Sequence, residues 1–215
     1  MLTIWGRTSS FNVQKVLWLT GELGLAHRHI PAGGDFGLLD TPEFLAMNPH
    51  GRVPVIKDDE AVVWESHAIL RYLAATYGRD RFWADGPARR AEAERWMDWS
   101  QTSLQPDFLN GVFWGFYRTP KPLRDMRAVA AKIADCGQHM RLLDRVLSDQ
   151  PFLGGEAPNL ADIPAGTVLY RYFGLDIDRP DVANVAAWYA RLRKRPAYRE
   201  HVMVPFQELE GRLEY

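Results

Sequence analysis

The chain has 215 residues, enough for one large domain or two modest ones with a buried core. Its 26 basic and 27 acidic side chains give a net charge of -1, which argues against a nucleic-acid partner. The single cysteine, Cys136, excludes an intrachain disulfide and a cysteine zinc cluster. The first residues do not resemble a signal peptide and no stretch is apolar enough to span a membrane, so we expect a cytoplasmic protein.

The first 79 residues alternate between strand and helix patterns. Short apolar runs predict strands at residues 2–6, 27–31, 54–57 and 61–64. Helical spacing of apolar residues predicts helices at 11–23 and 66–77, with a Gly-rich loop at 32–37 and a short turn at 41–44. The order β-α-β, loop, β-β-α predicts an α+β domain in which helices pack on a small mixed sheet.

The remainder of the chain has helical periodicity. Residues 78–87 are polar, contain Gly and Pro, and are typical of a linker. Beyond them the pattern predicts helices at 88–117, 123–147, 159–173 and 182–194, and a short helix from Pro196. We therefore expect a first domain at 1–79, a linker at 80–87 and an all-α helical bundle domain at 88–215.

Four short motifs occur in a fixed order: SSFNVQKV at 9–16, NPHGRVPVI at 48–56, WESHAILRYL at 64–73 and NLADI at 159–163. Each motif alone is weak, but together they resemble the cytosolic glutathione transferase superfamily over nearly the whole chain. The pattern is most similar to the bacterial serine-type members, either theta/zeta-like or of the Ser/Thr-x-Asn group. The resemblance implies a thioredoxin-like domain that binds glutathione as co-substrate, an all-helical domain that carries the hydrophobic pocket, and no metal.

The start of the first helix is suited to a thiolate. Free amides and the positive end of the helix dipole favour an anion there, and the thiolate is the nucleophilic form of a thiol. The resemblance places Ser10 and Asn12 in catalytic positions and Ser9 and Phe11 against glutathione. Ser9 competes with Ser10 as the donor to the sulfur, and a simple N-cap is the alternative role for Ser10.

The second motif resembles the Val-cis-Pro of the thioredoxin fold. The resemblance implies a cis Val53–Pro54 bond that presents the backbone of Val53 to the cysteinyl part of glutathione. It also places Arg52 at the glycyl carboxylate, a group that a guanidinium binds through two hydrogen bonds. The alternatives are a trans Pro54 that opens an edge strand and a solvated Arg52.

The third motif places Glu65 and Ser66 at a strand end and a helix start. The resemblance implies that Glu65 binds the α-ammonium of the γ-glutamyl group and that Ser66 binds its carboxylate. A helix N-terminus suits that carboxylate, although a plain capping pair is the alternative. In the fourth motif, Asn159 and Asp162 have the spacing of a capping box, to which we assign no chemistry.

Aromatic residues end the long predicted helix, where the family builds its pocket for the electrophile. We expect Phe113, Trp114 and Tyr117 to line that pocket, against a core role for each. We expect Cys136 to be a packed thiol. The six histidines show no metal-ligand spacing, so no metal site is expected.

The function implied by the resemblance is a detoxifying transferase that activates the glutathione thiolate for attack on a small hydrophobic electrophile. The alternatives are a glutathione-dependent disulfide or peroxide reductase and a non-catalytic glutathione-binding stress or ligand-binding protein. We also expect a homodimer, as in the family. Trp96, Met97 and Trp99 point in diverging directions around one helix, so at least one of them faces a second surface.

Overall fold

The computed structural model describes residues 1–79 and 81–213. Asp80 of the predicted linker and residues 214 and 215 of the predicted helical domain lie outside the described residues. The chain forms two compact units. The first contains Met1–Asp85 and Ala197–Val204, and the second contains Gly86–Pro196 and Pro205–Leu213.

The first unit is built on a four-stranded mixed sheet in the order β2-β1-β3-β4. Its strands are β1 (Leu2–Trp5), β2 (His27–Ile30), β3 (Val55–Asp58) and β4 (Ala61–Trp64). β1 and β2 are parallel and are joined by helix α1 (Phe11–Glu22), whereas β3 is antiparallel to β1 and to β4. The predicted small mixed sheet is confirmed.

Two further helices belong to this unit, α2 (Pro42–Met47) and α3 (Ser66–Tyr77). The sequence predicted only a short turn at the position of α2. The helix forms there because Thr41 Oγ1 accepts a hydrogen bond from Phe44 N at 3.3 Å and proline occupies the first turn. α1 and α3 supply much of the buried apolar core: Val13, Val16, Leu17, Ile69, Leu70 and Leu73.

The second unit is helical, and the predicted all-α character of this region is confirmed. Its regular helices are α4 (Pro87–Trp99), α5 (Met126–Val146), α6 (Asp162–Gly174) and α7 (Ala183–Leu192). α5 begins three residues later than predicted because Asp125 caps it, accepting hydrogen bonds from two first-turn amides at 3.0 Å. Within residues 1–79 and 81–213, no helix is both long and apolar enough to span a membrane.

The predicted helix at 88–117 continues beyond α4 with a wider winding. Ser100–Leu104 and Pro106–Arg118 are π-helical, and Gln105 N donates to Ser100 O five residues back. Pro106 has no N–H, and in a regular α-helix its ring would clash with the carbonyl of the residue four positions earlier. We attribute the widening to this proline.

The last regular helix is α8 (Pro196–His201). The sequence-based expectation placed residues 88–215 in one helical domain, but Ala197–Val204 is part of the first unit. Tyr198 packs edge-on against Trp18 of α1 with ring centroids 4.8 Å apart, and both side chains are fully buried. An aromatic contact over this sequence separation leaves no local pattern by which it could be predicted.

Candidate functional site

Three of the predicted motifs meet at one edge of the sheet, where β1 and β4 end and β3 begins. Trp5 of β1 pairs with Val55 of β3, and Val55 pairs with Trp64 of β4. The chain leaves the sheet after Trp5 and Trp64 and enters it at Val55. The segments next to this row are Gly6–Ser10, Val53–Pro54 and Glu65–Ser66.

Ser10 stands at the N-terminus of α1, immediately before its first residue. Its backbone is extended (φ -76°, ψ 122°) and its carbonyl accepts from Gln14 N at 3.0 Å. Its hydroxyl makes no capping hydrogen bond, so Ser10 occupies the cap position without using its side chain there. The partly exposed hydroxyl therefore lies at the positive end of the helix dipole.

The residues on either side of Ser10 differ in exposure. Ser9 is 9% exposed and Phe11 is buried, whereas Asn12 is partly exposed in the first turn of α1. Of the two serines, Ser10 is therefore the more accessible to a ligand.

The Val53–Pro54 peptide bond is cis, as expected. The loop before it is organised by Asn48, a buried residue that sequence reasoning missed. Asn48 Nδ2 donates to Arg52 O at 2.8 Å, and its Oδ1 accepts from His50 N at 3.1 Å. The position of Asn48 directly before a proline was the only local signal for this role.

Arg52 is exposed, and it follows a residue that lines a concavity of the first unit. The volume of this concavity is about 420 Å³. Four glycines line it together with the side-chain-bearing residues Leu39, Asp40 and Leu45, so part of its wall is backbone: Gly33, Gly34, Gly37 and Gly51.

Glu65 and Ser66 begin α3 with an unusual backbone. Glu65 has φ 69° and ψ 117°, a conformation that side-chain-bearing residues rarely adopt and that costs about 1–3 kcal/mol. The side chain of Glu65 is exposed and makes no capping hydrogen bond, whereas Ser66 is 2% exposed. Strain of this kind concentrates at binding sites, and here it turns a carboxylate towards solvent beside a helix N-terminus.

A buried basic pair lies between α1 and α3. Lys15 is fully buried, and its Nζ lies 3.2 Å from Nε2 of His67, the second residue of α3. Burial lowers the pKa of Lys15 to about 7, while the nearby Glu65 carboxylate raises it. Sequence reasoning missed the pair because a lysine in a helix is ordinarily solvated.

In the second unit, the predicted pocket aromatics differ in exposure. Phe113 is 1% exposed and packs with Phe108, Tyr117 and Phe206, so it has almost no surface to offer a ligand. Tyr117 stacks on Phe113 with centroids 5.3 Å apart and remains partly exposed.

Trp114 is also partly exposed, and the guanidinium of Arg118 lies 3.9 Å from the centre of its ring. Of the three predicted pocket residues, Trp114 and Tyr117 therefore retain accessible aromatic surface in this unit.

The sequence also raised the question of whether Cys136 is reactive and whether the chain holds a metal. The Cys136 thiol is buried, and burial together with the charge of Asp107 raises its pKa to about 12. Among the described residues, no group of three or more His, Cys, Asp or Glu side chains is arranged to hold a metal ion.

Comparison with known proteins identifies the family. The model for the glutathione S-transferase N-terminal domain matches residues 5–83, and the model for the C-terminal domain matches residues 127–191. Glutathione S-transferase GstB of Escherichia coli is 43% identical over 207 residues, which cover 95% of this chain and 99% of the relative.

A solved structure agrees with these matches. The theta class glutathione S-transferase of Xanthomonas axonopodis pv. citri, with glutathione bound, superimposes with a TM-score of 0.89. It is 44% identical, and the alignment covers 95% of this chain and 98% of that one. The chain belongs to the glutathione S-transferase family.

Proposed function

We propose that this protein is a glutathione transferase that activates the glutathione thiolate for attack on a small hydrophobic electrophile. The observation that carries the proposal is the row of Trp5, Val55 and Trp64, which places a helix N-terminus, a cis-proline segment and a strained acidic residue at one sheet edge. Glutathione offers a thiol, a peptide backbone and a zwitterionic γ-glutamyl end, and each of these has a matching group along this edge.

The γ-glutamyl end is assigned to the start of α3. The exposed Glu65 carboxylate suits the α-ammonium, and the N-terminus of α3 at Ser66 suits the α-carboxylate. The backbone of Val53 next to the cis Pro54 is assigned to the cysteinyl part, and the exposed Arg52 to the glycyl carboxylate. The glycine-walled concavity beside Gly51 gives the glycyl end room for a close backbone approach.

The thiol is assigned to the start of α1. Ser10 supplies a hydroxyl that the helix itself does not use, and the dipole of α1 adds a positive potential. A hydrogen bond and a dipole of this kind stabilise a thiolate by about one to two pKa units, or about 1.4 kcal/mol for each unit. Asn12 is assigned to the same first turn as a further polar group near the sulfur.

The hydrophobic electrophile is assigned to the accessible aromatic surface of the second unit. Trp114 and Tyr117 support this assignment because both rings are partly exposed and belong to one π-helical segment. Phe113 would act as the buried support on which Tyr117 stacks.

The proposal also covers the cellular location of the protein and its oligomeric state. We place the protein in the cytoplasm, where it would detoxify electrophiles as a homodimer. The half-buried Trp96 of α4 supports the dimer, because it leaves a large aromatic group partly open to a second surface.

The experiment that tests the function begins with binding of glutathione measured by calorimetry. Turnover is then assayed with an aryl halide and, separately, with a small disulfide. Conjugation of the aryl halide is the expected result. Disulfide reduction alone would assign the reductase function, and binding without turnover would assign a ligand-binding role. Failure to bind glutathione would refute the proposal.

A further inference from the structure

The buried pair Lys15 and His67 is not among the residues proposed to contact glutathione or the electrophile. Lys15 is fully buried and His67 is 8% exposed, with 3.2 Å between Nζ and Nε2. Among the described residues, groups that face this pair include a carboxylate, a guanidinium and an aromatic ring. The Glu65 carboxylate and the Arg71 guanidinium act on it electrostatically, and the Phe11 ring lies 5.0 Å from the Lys15 nitrogen.

The protonation state of Lys15 is finely balanced. Burial favours the amine because an ammonium loses its hydration, and the pKa of Lys15 falls to about 7. Burial, with the charges of Lys15 and Arg71, lowers the pKa of His67 to about 2, so its imidazole is neutral at neutral pH. A neutral Nε2 can accept a hydrogen bond from a Lys15 ammonium. Negative charge added near the start of α3 therefore favours the ammonium over the amine.

We propose that Lys15 is a positioning residue that takes up a proton from solvent when glutathione binds at the start of α3. The amine nitrogen accepts the proton, the buffer loses it, and the ammonium then donates to the neutral Nε2 of His67. This inference rests on the proposed function, since it requires the γ-glutamyl end to bind at Glu65 and Ser66.

The sign of the effect follows from the charges of the ligand. The two charges of the γ-glutamyl end act on Lys15 in opposite directions. Its ammonium offsets the charge of Glu65 at an exposed position, where solvent screens the effect, whereas its α-carboxylate is placed at the buried Ser66, where screening is weaker and the effect is larger. The α-carboxylate at Ser66 would lie one residue from His67, the direct partner of Lys15. By linkage, an anion that favours the Lys15 ammonium is itself bound more tightly when Lys15 is protonated.

The test measures protons taken up on binding. Calorimetric titrations with S-methylglutathione, which has no thiol to ionise, are run in two buffers of different ionisation enthalpy. If binding raises the pKa of Lys15 by one unit from about 7, uptake is about half a proton per site at pH ~7.5. The α-amine of the ligand also takes up protons when it binds as the ammonium, so the share of Lys15 is the excess uptake of the wild type over a variant without this lysine. That excess should fall to nearly zero by pH ~9, because Lys15 is then an amine in both states.

The main variant is Lys15→Met, which keeps the length of the side chain and removes its titratable group. On the same assumption, its affinity should be lower than wild type by about ninefold at pH ~6, about threefold at pH ~7.5 and not at all at pH ~9. A merely structural lysine would give a defect that does not change with pH. The control is Lys57→Met, which removes an exposed lysine of β3 and should behave like wild type.

Each outcome is decisive. No proton uptake by the wild type at pH ~7.5, or equal uptake by Lys15→Met, overturns the inference while the proposed function stands. Should Lys15→Met fail to fold, Lys15→Gln takes its place, and the excess uptake of the wild type over that variant must be largest between pH ~7 and ~8. Failure of the wild type to bind S-methylglutathione would instead count against the proposed function.

Discussion

The indole N–H of Trp188 in α7 donates to Asp162 Oδ1 at 3.0 Å. The same carboxylate accepts backbone hydrogen bonds from Leu153 at 2.9 Å, Gly154 at 2.9 Å and Asn159 at 3.0 Å. Asn159 Oδ1 accepts from Ala161 N at 2.8 Å, and α6 begins at Asp162 with Ala161 as its cap residue, so only the bond from Asn159 N to Asp162 forms as the predicted capping box requires. One fully buried carboxylate thus ties the start of α6 to the preceding loop and to α7.

Asp162→Ala should destabilise the protein strongly. The change removes the acceptor of three backbone amides and one indole N–H. The donors of Leu153 and Trp188 are buried, and each buried donor left without a partner costs about 1–3 kcal/mol. We expect a loss of at least about 3 kcal/mol in the free energy of unfolding, measured by urea denaturation. Asp149→Ala removes an exposed aspartate of the same unit and should change stability by less than about 0.5 kcal/mol. Equal stability of the two variants would contradict this account of α6.

Ser10→Ala should lower turnover with little effect on the fold. The hydroxyl makes no capping hydrogen bond, so we expect stability to change by less than about 0.5 kcal/mol. The pKa of bound glutathione should rise by about one unit, which lowers turnover about tenfold at pH values below that pKa. Ultraviolet titration of the bound thiolate measures the pKa directly.

Ser9→Ala is the matched control for that experiment. Ser9 is buried, and we expect its replacement to leave the pKa of bound glutathione unchanged. If Ser9→Ala raises the pKa and Ser10→Ala does not, then Ser9 is the donor to the sulfur.

Glu65→Gly should make the protein more stable and weaken its binding of glutathione. Glycine adopts φ 69° without strain, so after its larger entropy loss on folding we expect a gain of about 1 kcal/mol. Loss of a charge-assisted hydrogen bond to the α-ammonium should weaken binding by about tenfold or more. Thermal unfolding and calorimetry measure the two effects.

Two further variants separate strain from charge at Glu65. Glu65→Ala keeps the strained backbone, so it should lose affinity without gaining stability. Glu60→Ala removes an exposed carboxylate of the β3–β4 turn and should change neither quantity. Unaltered affinity in Glu65→Gly would remove Glu65 from the proposed site.

These effects also indicate what could be predicted from the sequence. The order of elements along the first unit, α3 and the cis bond before Pro54 followed from local patterns and from the resemblance to a family. The strain at Glu65 did not follow, because it arises where β4 must turn directly into α3 with Ser66 buried. A backbone conformation imposed by its neighbours has no signature in side-chain periodicity.

Most of the other features that the sequence did not predict depend on contacts between residues far apart in the chain. Lys15 fits helical periodicity as an ordinary polar residue, and only the approach of α3 buries it against His67. Trp18 packs on Tyr198, which lies at the far end of the chain, so no local pattern predicts this contact. The π-helical winding near Pro106 was missed because apolar spacing alone does not separate α from π turns.

Cys136 should be inert to thiol reagents in the native protein. Its thiol is buried and its pKa is raised to about 12, so about one part in ten thousand is thiolate at pH ~8. We expect no reaction with a chromogenic disulfide reagent over the time in which the urea-unfolded chain reacts fully. Rapid labelling of the native protein would show that α5 opens readily or that the thiol is accessible.

The last prediction concerns the proposed homodimer and the tryptophans of α4. Met97 is fully buried, and Trp99 packs on His139 of α5 with ring centroids 5.4 Å apart. Trp96 contacts Trp99 edge-to-face at 5.3 Å and is partly exposed, so it is the residue of the three that is best placed to meet a second copy.

Light scattering at micromolar concentration should therefore give the wild type a mass about twice the 24.6 kDa of one chain. Trp96→Glu places a charge at the proposed contact and should shift the mass towards that of one chain. Trp96→Phe keeps an aromatic ring there and should remain dimeric. A wild-type mass near that of one chain would refute the dimer. A dimeric Trp96→Glu variant would place the interface elsewhere, because a carboxylate buried in an apolar contact without a partner costs several kcal/mol.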